Sequence, residues 1–201
     1  MTVLDLDTAS RNREEDTGHS RDRKFVLNVG AGLDRRGDVR VDLYRAPGIT
    51  ALCDVLAGLP FRDNAFDEVY SGNLLEHLGN PLDGLREMAR VCKPGGQITL
   101  VTDNAAFLPF YFAGHARGMH SEGGYRGRGP KDLHYGIFTS AHLRNLAAEA
   151  GVVVQSIEHI KGYDPGPIGR ILTRLLSLVT LTPCMKFPKI RVSCMKQVAS
   201  R

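Results

Sequence analysis

Short apolar runs and one helical repeat dominate the hydrophobic pattern of this chain. The runs have the length and apolar content that are typical of buried strands. They cover residues 25–29, 40–43, 68–71 and 97–102. Between the last two runs, apolar residues return every three or four positions, which predicts a helix over residues 81–91. A later helix is predicted to begin at Thr139 or Ser140, because either hydroxyl can cap a first turn.

The alternation of strands and helices predicts an α/β fold with a Rossmann-like, doubly wound sheet that is mainly parallel. A last strand is predicted over residues 190–197, antiparallel to the others. About eight residues, 33–40, separate the first two strands, whereas a parallel crossover normally needs a dozen or more including its helix. The first crossover helix is therefore predicted to be shortened or absent.

The polarity of the chain divides it into regions. Residues 1–23 are charged and lack periodicity, which predicts a mobile arm, and residues 24–201 predict a single domain. Residues 103–138 are rich in Gly and His and lack periodicity, which indicates a substrate loop or lid. Residues 165–188 predict an apolar, basic helical insertion. No apolar run reaches the roughly eighteen residues of a membrane span, and the acidic N-terminal residues do not resemble a signal peptide, so we expect a cytoplasmic protein.

The first candidate chemistry lies where the first strand ends. Gly30, Ala31 and Gly32 follow it directly, and two glycines spaced this way let the backbone turn sharply and approach a ligand. Asp42 ends the second strand, where a carboxylate can accept hydrogen bonds from both hydroxyls of a ribose. By itself G-x-G is weak, because it is also an ordinary structural turn. The four cysteines are scattered without a C-x-x-C pair, so neither a disulfide framework nor a metal site is indicated.

Four further segments follow the glycine turn in a fixed order. They are C-D-V-L at residues 53–56, L-P-F-R-D-N-A-F-D at 59–67, L-L-E-H-L at 74–78 and R-V-C-K-P-G-G at 90–96. The whole series resembles the class I S-adenosylmethionine-dependent methyltransferases, and within them the compact branch that acts on small molecules and glycans. The resemblance runs from about residue 25 to residue 160 and implies S-adenosylmethionine as the cofactor.

The resemblance also implies a set of cofactor-binding residues at the carboxyl ends of the strands. They are Asn28, Gly30, Ala31, Gly32, Asp42, Leu43, Asp54, Val55, Asn73 and Leu74. In this set the glycine turn passes beneath the methionine part, Asp42 holds the ribose, and Leu43 covers the adenine. Asp54 accepts a hydrogen bond from the adenine amino group. Asn28 stands where many relatives carry an acid that helps to hold the cofactor's amino group, so weaker affinity is expected.

Methyl transfer needs mainly alignment and desolvation of the acceptor, with a base only where the nucleophile must lose a proton. His134 lies in the segment H-Y-G-I-F-T, which resembles a family element, and is the first candidate for a base or an acceptor contact. His77, in L-E-H-L, is the second. For both, a hydrogen-bonded structural histidine is the alternative. The implied acceptor is a hydroxyl or amine of a small molecule or glycan.

Residues 168–181 combine a broad apolar face with Arg170 and Arg174 on the opposite side. This pattern predicts either a basic amphipathic helix on a membrane surface or a helix packed on the core or against a second subunit in a homodimer. From residue 161 onward the net charge is +7, while the whole chain carries +4 and residues 1–160 therefore carry −3. An acidic partner should meet the C-terminal part, and a membrane contact would make a lipid-linked acceptor attractive.

Other functions stay open on the sequence. A catalytically silent cofactor-binding or scaffold protein would keep the fold without the reaction, and the short crossover and Asn28 motivate this alternative. RNA is a weaker candidate for the acceptor, because the chain lacks tryptophan and has no N-P-P-Y or D-P-P-Y segment after the fourth strand. A dinucleotide oxidoreductase is disfavoured, since Arg35 occupies the position of the third glycine of G-x-G-x-x-G.

Overall fold

The computed structural model of the protein describes residues 23–107, 110, 134–161, 171, 175, 185 and 187–198. Its strands are β1 (Val26–Val29), β2 (Val39–Asp42), β3 (Ala51–Leu52), β4 (Phe66–Gly72), β5 (Cys92–Asp103), β6 (Val152–Ile160) and β7 (Lys189–Lys196). Helix α1 covers Pro81–Val91 and helix α2 covers Ser140–Glu149. In the described part of the chain, the strands form one seven-stranded sheet in the order β3-β2-β1-β4-β5-β7-β6.

The strand directions confirm the predicted sheet. Strands β1 to β5 pair in parallel, and β7 is antiparallel to both of its neighbours, β5 and β6. Residues 30–38, which connect β1 to β2, contain no helix, so the first crossover is shortened as predicted. A direct connection of this kind keeps the glycine turn at the carboxyl edge of the sheet, beside the end of β2.

Helices α1 and α2 contact each other and pack on the same face of the sheet. Alternate strand residues supply the buried side of this layer, because successive side chains on a strand point to opposite faces. The strands contribute Leu27, Val69, Ile98, Leu100 and Val192, and the helices contribute Leu85, Met88, Leu143 and Ala147. All of these side chains are at most 2 % exposed. This core fixes the carboxyl ends of β1, β4 and β5 relative to one another.

Local capping signals set the helix boundaries. Asn80 caps α1 by accepting a hydrogen bond from the Asp83 N–H, and Pro81 occupies the first turn, where its missing N–H is not needed. Thr139 caps α2 by accepting from the His142 N–H at 3.2 Å. The α1 boundaries and the Thr139 cap agree with the sequence prediction.

Other boundaries differ from the predictions. Strand β5 begins at Cys92, five residues earlier than predicted, because K-P-G-G bulges within the strand while Phe66 pairs with Cys92 and Glu68 with Gln97. Residues 1–22, most of the predicted loop 103–138 and most of the predicted insertion 165–188 lie outside the described residues. Among the described helices, none has the length and apolar character needed to cross a membrane.

Candidate active site

A cavity of about 820 Å³ opens at the carboxyl edge of the sheet. Its lining comes from the residues that follow β1, β2, β3 and β4, and from residues 134, 135 and 189. Eleven of the twelve residues predicted for the site line this cavity. They are Gly30, Ala31, Gly32, Asp42, Leu43, Asp54, Val55, Asn73, Leu74, His77 and His134. One continuous cavity therefore joins the predicted cofactor residues to both predicted histidines.

The glycine turn forms the floor of the cavity. Gly30 and Gly32 have φ values of 69° and 53°, a region that L side chains rarely adopt. The N–H groups of Gly30 and Ala31 both donate to the Val41 carbonyl, at 2.9 and 3.0 Å, which ties the turn to β2. A Cβ at Gly30 would lie 2.9 Å from Cδ1 of Leu74. Glycine is thus required here both by the backbone conformation and by the close approach of Leu74.

Asp42 is held rigidly beside this turn. Its side chain is buried, and its two oxygens accept from the Gly32 N–H at 2.7 Å and the Tyr44 N–H at 2.9 Å. Each carboxylate oxygen has two lone pairs, so both can accept a further hydrogen bond from a ligand. The geometry of Asp42 therefore fits a pair of ribose hydroxyls.

Asp54 follows β3 and lies on the cavity wall. Its Oδ1 accepts from the Leu56 N–H at 2.9 Å and so caps the 3₁₀ turn Val55–Ala57. Burial raises the pKa of the neighbouring Cys53 thiol to about 11, and the charges of Asp54 and Asp42 contribute to this shift. Cys53 is therefore a neutral thiol at physiological pH and no nucleophile in this cavity.

Asn73 and Leu74 shape the wall beyond β4. Asn73 has a φ of 55°, a strained value for a non-glycine residue, and its N–H donates to the Val101 carbonyl at 2.7 Å. This backbone geometry directs the chain out of the sheet and sets Leu74 against Gly30. Strained conformations of this kind are concentrated at functional sites.

Asn28 is the predicted cofactor residue that the structure places outside the cavity lining. Leu27 and Val29 belong to the helix-covered core, so the intervening Asn28 points to the opposite face of the sheet. There it is 1 % exposed, and its Nδ2 donates to the Arg36 carbonyl at 3.3 Å. We expected this side chain at the cofactor's amino group, and strand alternation turns it instead toward the connection between β1 and β2.

The other end of the cavity holds both predicted histidines. The rings of His77 and His134 meet edge to face, with centroids 4.4 Å apart. Nδ1 of His134 lies 3.2 Å from Oδ2 of Asp103, the last residue of β5. The side chain of Asp103 is fully buried, whereas that of His134 is 19 % exposed. The histidine pair thus lies between a buried carboxylate and the cavity.

Lys189 and Glu76 complete this cluster. Nζ of Lys189 forms an ion pair with Asp103 and lies 3.4 Å from Oε1 of Glu76, whose Oε2 accepts from the Thr102 hydroxyl at 2.7 Å. Burial acts to raise the pKa of Asp103, but His134 and Lys189 beside it hold this pKa below its usual range. Asp103 is therefore an anion at physiological pH.

Sequence reasoning missed Asp103, Glu76 and Lys189 as site residues. Asp103 had a readable signal, since an acid that ends a parallel strand lies at the ligand edge of the sheet. Glu76 stood inside L-E-H-L next to a named candidate. Lys189 carried no comparable signal, because only the pairing of β7 with β5 brings the first residue of β7 opposite Asp103.

Comparisons with known proteins relate this chain to methyltransferases. Residues 34–100 match the family described as a methyltransferase domain. A demethylmenaquinone methyltransferase from Corynebacterium urealyticum is 32% identical over 107 residues, which cover 53% of this chain and 44% of that protein. The match thus spans less than half the length of this curated relative. Asp42 and Asp54, two residues predicted to bind the cofactor, fall within the matched residues of this chain.

Solved structures share the fold over most of the chain. One is a methyltransferase from Haloferax volcanii in complex with the activator Trm112, with a TM-score of 0.61 and 16% identity over 96% of this chain and 90% of that one. Another is a SAM-dependent methyltransferase from Methanosarcina mazei, with a TM-score of 0.60 and 13% identity over 90% and 95% of the two chains. Together with the matched domain, they support S-adenosylmethionine as the cofactor.

Proposed function

We propose that this chain, which belongs to the class I S-adenosylmethionine-dependent methyltransferases, methylates a hydroxyl or amine of a small molecule or glycan. One observation carries the proposal: a single cavity is lined at one end by the glycine turn and Asp42 and at the other by His77 and His134. Bound S-adenosylmethionine supplies an activated methyl carbon, which the acceptor's electron pair attacks as the S–C bond breaks and S-adenosylhomocysteine leaves.

The residues of the cavity fit such a cofactor. The glycine turn brings backbone to the cavity surface without a Cβ, and Asp42 offers both carboxylate oxygens beside it. Leu43 and Leu56 line the wall with 38 % and 43 % of their surfaces exposed, so they offer apolar cover for a purine ring. Asp54 on the same wall supplies a carboxylate that can accept from an exocyclic amine.

The end of the cavity that is lined by His77 and His134 is the proposed acceptor site, and the named relatives suggest which acceptors to test. A relative named demethylmenaquinone methyltransferase is consistent with a quinol-like aromatic acceptor for this chain, beside the glycan acceptors that the sequence resemblance implies. His134, Tyr135 and His77 line this end and supply aromatic and polar surface. A first acceptor screen should therefore pair naphthalene diols with simple glycosides.

Calorimetric titration with S-adenosylmethionine and S-adenosylhomocysteine tests the proposal. Asp42→Asn removes a charge that accepts hydrogen bonds, so both ligands should bind about 10–100-fold more weakly to this variant. The control is Glu158→Gln, which removes an exposed carboxylate on β6 and should leave both affinities unchanged. Failure of the folded wild type to bind either ligand would contradict the proposal and favour the scaffold alternative. Binding without methylation of any acceptor would favour the catalytically silent protein.

We further propose that residues 168–181 bind an anionic membrane surface, a contact that would suit a lipid-linked acceptor. The observation that favours this contact is the exposure of two apolar residues one helical turn apart, Ile171 at 60% and Leu175 at 56%. Apolar side chains in a segment whose sequence also contains arginines are typical of interfacial binding.

Flotation with phosphatidylglycerol vesicles tests this contact. The wild type should float with the vesicles, and the double variant Ile171→Asp/Leu175→Asp should not. Val198→Asp is the matched control, because Val198 is 70% exposed elsewhere on the surface. Absence of the wild type from the vesicle fraction would contradict the proposal. A dimer that the double variant dissociates would instead identify residues 168–181 as a subunit interface.

A further inference from the structure

A buried cluster of charged side chains lies directly behind the acceptor end of the cavity. Its members come from segments that are distant in sequence: Glu76 follows β4, Asp103 ends β5 and Lys189 begins β7. Asp103 and Lys189 are paired opposite each other in the antiparallel register of β5 and β7. The side chains of Glu76 and Asp103 are fully buried, and that of Lys189 is 14 % exposed. Burying charges is costly unless each is paired, so the cluster has a fixed geometry.

The backbone of the segment that carries His134 is tied to the same cluster. The Tyr135 N–H donates to the Glu76 carbonyl at 2.7 Å. The Phe138 N–H donates to the Asp103 carbonyl at 3.3 Å, and Ala105 returns a hydrogen bond to the Phe138 carbonyl at 2.8 Å. His134 is therefore held beside Asp103 by backbone contacts that do not depend on its own ring.

The position of Asp103 selects one form of the imidazole ring. Nδ1 of His134 lies 3.2 Å from Oδ2 of Asp103 without the alignment of a hydrogen bond, and at this distance the negative charge of the carboxylate favours a proton on Nδ1. In the neutral ring the proton is then on Nδ1, and Nε2 is the nitrogen with a lone pair. A histidine arranged in this way can take a proton through Nε2 while a carboxylate stabilises the charge that forms.

The charge of the cluster suits this role. With a neutral ring, Asp103 and Glu76 contribute two negative charges against the single positive charge of Lys189. A proton taken up by His134 brings the cluster to neutrality. Lys189 also stands between the two carboxylates and keeps Asp103 anionic, since it is among the groups that lower the pKa of Asp103.

We infer that Asp103 and Lys189 are positioning residues that hold His134 as a general base, and that the acceptor is therefore a hydroxyl. The inference rests on the proposed methyl transfer. The acceptor's O–H bond breaks and its proton goes to Nε2 of His134. The electron pair left on oxygen forms the new bond to the methyl carbon as the S–C bond breaks and its electron pair leaves with the sulfur of S-adenosylhomocysteine. A neutral amine already has a nucleophilic lone pair, whereas a hydroxyl is a weak nucleophile until a base takes its proton.

The ring form of His134 can be measured without any acceptor. Long-range ¹H–¹⁵N spectra of protein with ¹⁵N-labelled histidine distinguish the two neutral forms, and His134→Gln assigns the signal. At about pH 9, where ordinary histidine is neutral, the wild type should show the proton on Nδ1. Asp103→Asn should shift the population toward the form protonated on Nε2, because the amide has no negative charge and its NH2 group can donate to Nδ1. Glu158→Gln is the control and should leave the spectrum unchanged.

A wild-type ring protonated on Nε2 would overturn the inference, as would an unchanged ring in folded Asp103→Asn. Calorimetry distinguishes failure of this inference from failure of the proposed function. The protein can bind S-adenosylmethionine whichever nitrogen of His134 carries the proton, so the two measurements are independent.

The hydroxyl preference is tested with matched naphthalene probes. With 1,4-naphthalenediol the wild type should form S-adenosylhomocysteine and an O-methyl product, whereas a product methylated on a ring carbon would overturn the hydroxyl assignment. Asp103→Asn should lower kcat by about 10²–10⁴-fold while the affinity for S-adenosylhomocysteine is retained. Methylation of 1,4-naphthalenediamine in preference to the diol would overturn the assignment of a hydroxyl acceptor. Equal turnover of the diol by the wild type and Asp103→Asn would overturn the positioning role.

Discussion

Gly30 leaves no room for a side chain between the turn after β1 and the end of β4. Gly30→Ala should destabilise the protein by about 1–2 kcal/mol for the left-handed backbone alone, and contact with Leu74 should add to this loss. Denaturant unfolding measures the change. Gly79→Ala is the matched control, because a Cβ there meets no atom within 4 Å. Equal stabilities of the two variants would contradict the assigned role of Gly30.

Single residues also show which parts of the candidate site could be predicted from the sequence. Asp42 and Asp54 could be placed in the cavity because each follows a strand whose carboxyl end is at the ligand edge. Asn28 was misplaced, although the apolar residues on either side of it already implied that its side chain points away from the core layer. Asp103 and Lys189 depend on strand pairing between distant segments, which no local pattern encodes.

At the scale of elements, Arg90 joins the end of α1 to the loop before β4. It contacts Glu87 and Asp63 and donates to the carbonyls of Leu59 and Phe61 at 3.0 and 2.8 Å. Arg90→Met should cost about 1–3 kcal/mol of stability, because several hydrogen bonds are lost together.

Arg86 provides the matched control for Arg90 on the same helix. It pairs only with Asp83 among the contacts described for its side chain, and both side chains are about half exposed. Arg86→Met should therefore change the stability by less than about 0.5 kcal/mol. Thermal unfolding of both variants measures the difference in stability. Similar losses of stability in the two variants would contradict the role of Arg90 in joining α1 to the loop before β4.

Glu87 makes the stabilising contacts of Arg90 sensitive to acid. The hydrogen bond from Arg90 lowers the pKa of Glu87 below its ordinary value of 4.5, although burial opposes this shift. Because the pKa is lower in the folded state, the stabilisation is fully present above about pH 4.5 and is lost as the pH falls through the folded pKa. Urea midpoints between pH 7 and pH 3 should show wild type and Glu87→Gln converging at the acid end. A constant difference over this range would contradict the assignment.

Elements were predicted best where a local signal marks their ends. Asn80 and Pro81 fix the start of α1, and Thr139 fixes that of α2, so both starts could be read from the sequence. The start of β5 could not, because K-P-G-G signals a turn whereas the backbone bulges and remains paired with β4. The two-residue strand β3 is too short to have a pattern of its own.

At the scale of the whole molecule, β7 joins strands that would otherwise have open edges. It pairs along its full length with β5 and β6. Removal of residues 188–201 should therefore abolish cooperative unfolding and lower the soluble yield, because two edges become unpaired. Removal of residues 197–201 is the control, since it keeps β7 intact. Cooperative unfolding of the longer deletion would contradict this role.

The position of β7 between β5 and β6 also determines when the sheet can be completed during synthesis. During synthesis β5 and β6 leave the ribosome before β7, so the gap between them is filled only by the last of the described strands in chain order. Lys189 arrives with that strand, and Asp103 remains without its lysine until then. A nascent chain can thus contain the nucleoside end of the cavity and His134 well before it contains Lys189, the residue that pairs with Asp103. A chain that ends before residue 189 would contain His134 and Asp103 but would leave the buried Asp103 carboxylate without its lysine partner.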